Sequence, residues 1–354
     1  MAASALSITS TFVPVRTARP FVIARGGASE YPTVTVRVRD ARDGAEGWGE
    51  AAPSRFYGET PESVAGALPR LEQALAGCDP WHLDDAEQRM RRALRWNGAA
   101  RTAVSVALHD LAARRLGVPL YRLLGLDPAR APVSSYTVGI AGDDEELRAR
   151  VEGAAEYPIL KVKLGYPAGP GRDAAAVRRV RELAPDKVLR VDANAAWAAK
   201  TAVRMSAALA ELGVEFVEQP VPAGDVDGLR EVRARGALPV VADESCVDAA
   251  DVARLARAGA VDGVNLKLAK CGGLREALAI VATARAHGLL VMCGCMIETS
   301  LGITAAAHLA PLLDAADLDG AALLADDPYA GATIAGGVVR LPERPGLGVV
   351  ARER

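Results

Sequence analysis

The 354-residue chain carries 42 lysines and arginines against 44 aspartates and glutamates, so its formal net charge is −2 and no broad basic field exists to attract nucleic acid. Half of its residues are hydrophobic, yet no apolar run reaches the ~18 residues that would suggest a membrane span. The N-terminal MAASALSITSTFVPVR lacks a basic region followed by a long apolar stretch, which speaks against a signal peptide and for a cytoplasmic protein.

The first predicted element is a strand. Residues 33–38, TVTVRV, alternate with period two, and Asp43-Gly44 supplies the turn after them. A second strand leads through Gly47-Trp48-Gly49-Glu50. From residue 60 to residue 124 the pattern becomes helical, rich in alanine and leucine, with a Gly-Val-Pro break at 117–119. Strands followed by helices predict a separate α+β domain over residues 1–125.

Beyond it, short β-branched runs alternate with alanine-rich helical segments: VSSYTVGI, ILKVKLG, VLRVDANA, VEFVEQP, PVVADES, GVNLKLAKCGG, LVMCGCMIE and DLDGAALLAD. Eight strand candidates with helices between them imply an α/β architecture of parallel strands. None is followed by Gly-x-Gly-x-x-Gly, the strongest mark of an open nucleotide-binding sheet, so a barrel over residues 126–325 is favoured. Residues 326–354 are turn-rich. Cys78, Cys246, Cys271, Cys293 and Cys295 are odd in number and scattered, and Cys293-Gly-Cys295 is too tight for the usual zinc spacing. They read as reduced, mostly buried thiols. His109 and His308 read as core or surface histidines rather than ligands, and Trp48 and Trp197 as packing residues rather than stacking platforms.

Charged residues are costly in buried parallel strands unless paired or bound to metal. Here Lys161 and Lys163, then Asp192, Glu218, Asp243 and Lys267, fall at the C-terminal ends of successive strands. From Lys163 onward the intervals are 29, 26, 25 and 24 residues. Each is close to one βα unit, roughly 30 residues in a barrel of this kind, so the side chains should converge on one mouth. Three carboxylates from neighbouring strands make a hard oxygen site suited to Mg²⁺ or Mn²⁺. The plainer alternative is that each acid caps the helix after it. Lys161 and Lys163 point to one face, and like charge together with a nearby metal should ease deprotonation of a lysine acting as general base. Lys267 comes from a strand four places further round, so a substrate carbon between Lys163 and Lys267 would meet a base on each face. Simple ion pairing of these lysines with the acids is the alternative there.

These residues resemble the enolase superfamily, in its muconate-lactonizing-enzyme subgroup. KVKLG, RVDANAAW, VEQP, ADES and NLKLAKCGG occur in order and at family spacing, and AVSVALHDLAARRLGVPLYRLLG resembles the family's join between cap and barrel. The resemblance implies a (β/α)7β TIM-like barrel with an N-terminal α+β capping domain, and a C-terminal segment, residues 326–354, that returns to the cap and completes its sheet. It implies Mg²⁺ on Asp192, Glu218 and Asp243, Lys163 and Lys267 as the acid/base pair, Lys161 tuning Lys163, and Asn194 as a supporting partner. A substrate carboxylate held on Mg²⁺ would then pass through an enediolate.

Two later motifs narrow the activity. CMIETSLGITAAAH resembles the seventh-strand region of dipeptide epimerases, and Asp317-Leu318-Asp319 resembles the pair of aspartates with which they hold a dipeptide's free ammonium. Two carboxylates on one strand face suit that ligand; a solvated acidic turn is the alternative. Met296 and Glu298 would face the pocket from the seventh strand, with Glu298 near Lys267 or the substrate; a structural ion pair is the alternative for Glu298. Arg25, followed by Gly26-Gly27, sits where L-Ala-D/L-Glu epimerases carry an arginine for the glutamate side chain, although an ordinary surface arginine fits too. RFYGET at 55–60 looks like the second cap loop of those enzymes. The resemblance thus predicts an L-Ala-D/L-Glu epimerase acting on a small dipeptide, with a homo-oligomeric assembly expected. The rivals are an o-succinylbenzoate synthase, an N-acylamino-acid racemase or cycloisomerase, and a barrel without catalysis.

Overall fold

The computed structural model describes residues 6–353; residues 1–5, part of the N-terminal stretch that lacks a signal-peptide layout, lie outside them. The chain opens with β1 (Leu6–Val13), a hairpin of β2 (Arg16–Ile23) and β3 (Gly26–Glu30), then β4 (Thr33–Asp40) and β5 (Glu46–Ala51). β1, β4 and β5 form an antiparallel sheet in the order β1-β4-β5. Sequence reasoning found β4 and β5 but not the first three strands.

Val34, Val36 and Val38 of β4 are fully buried beneath three helices, α1 (Pro61–Ala74), α2 (Leu83–Ala93) and α3 (Gly98–Arg115). Thr60 and Ser63 start α1 with a reciprocal capping box. α3 is buried along nearly its whole length. It sits so close to β5 that a Cβ on Gly47 or Gly49 would come within 1.9 Å of the Ala107 carbonyl oxygen or 2.1 Å of that of Ala103. Glycine at these two positions is what lets helix backbone rest on strand backbone.

The barrel follows: β6 (Tyr136–Val138), β7 (Ile159–Lys163), β8 (Val188–Asp192), β9 (Val214–Glu218), β10 (Val240–Ala242), β11 (Gly263–Leu266), β12 (Leu290–Gly294) and β13 (Ala315–Asp317). All neighbours are parallel and in chain order. Ser135 N donates to Ala316 O at 2.9 Å across the seam between first and last strands. Helices follow each of the first seven strands, which is the (β/α)7β pattern. The eighth strand is shorter than DLDGAALLAD suggested: it ends at Asp317, and Gly320–Leu323 is a 3-10 turn.

The main core lies between strands and outer helices. A small inner cluster, Phe216, Val241, Met292 and Ala315, fills the barrel floor. Side chains alternate along a strand. Residues two steps further, Glu218, Asp243 and Asp317 among them, therefore rise from that floor toward the C-terminal mouth.

The C-terminal segment packs against the first domain but does not extend its sheet, contrary to expectation. Tyr329–Ala330 pairs with Val350–Ala351, and Thr333–Ala335 with Val338–Arg340, as separate two-stranded ladders. Pro328, Gly331, Gly336, Gly337, Pro342 and Pro345 cut the segment into runs too short to follow β5. Tyr329 instead meets Trp48 edge-on and shares a 2.8 Å hydrogen bond with Thr35, while Leu347 N donates to Asp110. Trp197 is buried and donates to Asp173; burial pushes His109 and His308 down to about 4, so both are neutral core groups. All five cysteines are free thiols, with Cys295 half-buried and the others buried. Among the described residues no helix is long and apolar enough to cross a membrane.

Candidate active site

Strand register assembles the acids. Lys163 and Asp192 are paired across β7 and β8, and Asp192 and Glu218 across β8 and β9. Asp243 stands one residue past β10. One oxygen from each of Asp192, Glu218 and Asp243 lies within 4.8 Å of the others, and all three residues are buried. None of them caps the helix that follows its strand: the side chains that do so after β9 and β10 are Asp225 and Asp248.

Neutral donors orient the acids. Asn265 Nδ2 donates to Glu218 Oε1 at 2.7 Å. Asn194 donates its backbone N–H to Asp192 Oδ1 and its Nδ2 to Oδ2. Asn194 has φ +44°, in the left-handed region that asparagine tolerates. Two buried oxygens, Asn194 Oδ1 and Glu218 Oε2, have no hydrogen-bond partner among the described residues. Glu218 Oε2 is 2.8 Å from Lys161 Nζ but off the line of a hydrogen bond. Three converging hard donors with unsatisfied oxygen capacity fit a divalent cation such as Mg²⁺.

Four buried lysines, Lys161, Lys163, Lys267 and Lys270, balance this charge. Lys161 Nζ lies 2.7 Å from Asp317 and 3.6 Å from Asp192. Lys163 Nζ donates to Asp192 Oδ2 at 2.6 Å, and Lys267 Nζ to Asp243 Oδ2 at 2.7 Å. Burial lowers the Lys161 pKa, but Asp317, Glu218 and Asp192 outweigh it and hold the group well above its ordinary value. Lys267 is raised too, since Asp243 overcomes burial. Among the acids, burial and the Asp192 charge push Glu218 up to about 7, whereas the lysines overcome burial and hold Asp192 and Asp243 below the usual range.

Lys163 and Lys267 line one cavity of about 720 Å³, together with Asp317, Asp319, Arg25 and Met296. Lys161 lies beneath it. Asp317 and Asp319 are buried rather than solvated, and Asp319 stands two residues beyond Asp317, just past the strand end. Ser135 Oγ donates to Asp317 at 2.6 Å, and the Thr137 N–H to Asp319 at 2.6 Å. Lys161 overcomes burial and holds Asp317 low, while burial and the charge of Asp317 push Asp319 up to about 7. Glu298 does not join the lining as expected. It turns behind the wall, where it accepts from the Met296 N–H.

Arg25, at the tip of the β2–β3 hairpin, reaches the barrel. Its guanidinium pairs with Glu244 at 2.7 Å, donates to the Asn194 carbonyl and lies over the Phe56 ring. Sequence reasoning did not single out Glu244, Ser135, Thr137, Asn265 or Lys270, nor Glu50 of β5. The last accepts the N–H and hydroxyl of Thr299, just after the pocket-lining loop of the seventh strand.

Burial pushes Glu50 up to about 8, against an ordinary value of 4.5, with Glu298 contributing. The folded protein therefore keeps a proton that the unfolded chain releases. That stability is fully present below the unfolded pKa and is lost as pH rises through the folded one. Glu50→Gln should remove this loss, so melting temperatures of variant and parent should diverge in the variant's favour as pH rises from about 4.5 to about 8 and run parallel above that. Curves parallel throughout would show that Glu50 does not titrate there.

Family models match almost the whole chain: the mandelate racemase/muconate lactonizing enzyme N-terminal domain over residues 7–125 and the enolase C-terminal domain-like model over 144–354. The hydrophobic dipeptide epimerase of Roseobacter litoralis is 44% identical over 335 residues, covering 94% of this chain and 95% of that protein. The L-Ala-D/L-Glu epimerase of Bacteroides thetaiotaomicron is 38% identical over 343 residues, covering 96% and 87%. A crystal structure of the Enterococcus faecalis dipeptide epimerase with Mg and L-Leu-L-Tyr superposes with a TM-score of 0.91 at 34% identity, covering 99% of each chain. The chain belongs to the enolase superfamily, in its mandelate racemase/muconate lactonizing enzyme branch, and is an isomerase acting on amino-acid derivatives.

Proposed function

We propose that the protein is a dipeptide epimerase that inverts the α-carbon of the C-terminal residue. The observation that carries this reading is the placement of Lys163 and Lys267, from barrel strands four apart, on one cavity that also holds Asp317 and Asp319. Asp192, Glu218 and Asp243 would hold Mg²⁺, with Mn²⁺ as an alternative, and the bound ion supplies positive charge for a carboxylate whose negative charge grows as the α-proton leaves. Lys163 and Lys267 each rest on one of these acids, so filling the cation site relieves both of their counter-ions. One lysine then removes the α-proton and the other delivers a proton to the opposite face. Asp317 and Asp319 receive the substrate's ammonium.

L-Ala-L-Glu is the first substrate of this reading, with Arg25 on the glutamate side chain. A second reading, an apolar C-terminal residue, is favoured by one observation. Arg25 is already neutralised by Glu244, and Phe21, Ile23, Phe56, Ile297 and Leu323 build much of the wall.

Proton NMR in D₂O with Mg²⁺ tests both. Loss of the α-proton signal of L-Ala-L-Glu and growth of the L,D diastereomer is expected; the same behaviour confined to L-Ala-L-Leu would select the apolar reading. Arg25→Ala should weaken use of L-Ala-L-Glu by about tenfold or more, the size of a charge-assisted hydrogen bond. Unchanged turnover in that variant would sink the assignment of Arg25 to the glutamate side chain. No exchange with either dipeptide would sink the epimerase reading.

A further inference from the structure

Asp243 is held by two ammonium groups rather than one. Lys270 Nζ donates to its Oδ1 and to its backbone carbonyl, both at 2.6 Å, while Lys267 Nζ holds Oδ2 at 2.7 Å. Lys267 is the N-cap of the single helical turn Leu268–Cys271 and Lys270 lies within it, three residues on, so both reach back to the same acid. Only Lys267 lines the cavity; the side chain of Lys270 is 0% exposed.

The turn is pinned from the capping domain. The Thr102 hydroxyl donates to the Leu268 carbonyl. Gly98, at the start of α3, lies so close that a Cβ there would come within 2.4 Å of the Lys270 carbonyl oxygen. Lys270 therefore stays where it is. Lys267 cannot: to reach an α-carbon it must leave Asp243. A buried carboxylate stripped of every cation is strongly destabilised, so Lys267 is free to depart only if another positive charge remains.

We propose that Lys270 is a positioning residue that fixes the Oδ1 and backbone carbonyl of Asp243, so that the remaining carboxylate oxygen can pass from Lys267 to a divalent cation and Lys267 is released toward the substrate. The part concerning Lys267 rests on the epimerase reading; the part concerning Asp243 and the cation does not.

The test is calorimetric titration of Mg²⁺ into the parent protein, Lys270→Met and Lys270→Arg, with α-proton exchange followed separately from the L,L and L,D dipeptides. Lys270→Met should weaken Mg²⁺ binding by about 10- to 100-fold, the usual effect of losing a partner of a metal ligand. It should also slow exchange from the epimer served by Lys267 more than from the other, whereas general loosening of the fold would slow both alike. Lys270→Arg, which keeps the charge, should recover most of the Mg²⁺ affinity.

Mg²⁺ affinity unchanged in Lys270→Met would overturn the proposal, and so would equal losses in the Met and Arg variants. Should Lys270→Met not accumulate as folded protein, Lys270→Gln keeps a donor while losing the charge and carries the same expectation. If the parent exchanges no dipeptide α-proton, the epimerase reading fails, and the Mg²⁺ titrations still decide whether Lys270 supports Asp243.

Discussion

Lys267→Ala is expected to lower epimerisation by about 10²- to 10⁴-fold, the usual contribution of a positioned acid or base, while leaving one epimer able to trade its α-hydrogen for deuterium. Lys163 and Lys267 stand on opposite sides of the mouth and each rests on a different acid, Asp192 or Asp243. With Lys267 gone, Lys163 still meets the α-hydrogen on its own face. It can remove that hydrogen and return deuterium from solvent, but nothing delivers a proton from the other side. Lys163→Ala should give the mirror result with the other epimer. Mass spectrometry of each diastereomer after incubation in D₂O separates exchange from inversion. Equal loss of exchange from both epimers in Lys267→Ala would refute the two-base arrangement.

The second large effect is expected at Asp319. Asp319→Asn should reduce kcat/KM for a dipeptide by about 10- to 100-fold, as for a lost hydrogen bond between charged partners. Burial and the neighbouring Asp317 push this carboxyl up to about 7, so near neutrality the free protein holds it partly protonated. An arriving ammonium favours the anion. The parent's kcat/KM should therefore fall as pH drops below about 7, and that limb should be missing from the variant. Folding is not a confounder, because asparagine removes a buried like charge from beside Asp317 and keeps an oxygen for the Thr137 N–H. An N-acylated substrate, which has no ammonium, should be used equally by both proteins. Undiminished dipeptide turnover in Asp319→Asn would favour the o-succinylbenzoate synthase or acylamino-acid racemase reading.

What could be read from the chain followed from cost. Charged residues are improbable in strands otherwise made of valine, isoleucine and leucine, so Lys163, Asp192, Glu218, Asp243 and Lys267 stood out, and their near-regular intervals reported the barrel. Partners were harder, because partnership depends on what the fold brings close. Glu50 looked like the end of a strand; its burial depends on Thr299, 249 residues away. Arg25 was noticed, yet no local pattern says that Glu244 meets it. Lys270 was hidden inside the very motif that drew attention to Lys267. β1 escaped because it buries only Leu6 and Val13 at its two ends, leaving no clear alternation between them. Asp319 was placed on a strand face although the strand ends at Asp317, an error at an element boundary where periodicity says least.

The seam between β6 and β13 gives the ammonium pocket a place in time as well as in space. Thr137 belongs to the first strand of the barrel and Ser135 directly precedes it, yet the carboxylates they hold arrive at the end of the last strand and just past it, 182 residues later. Contacts so distant in sequence are slow to form, since a long loop must close before they can be made. A chain emerging from synthesis can bring Asp192, Glu218 and Asp243 side by side while β13 is still missing. Such an unfinished barrel would own its cation ligands and both bases, but it would have no grip on a dipeptide until the ring had closed.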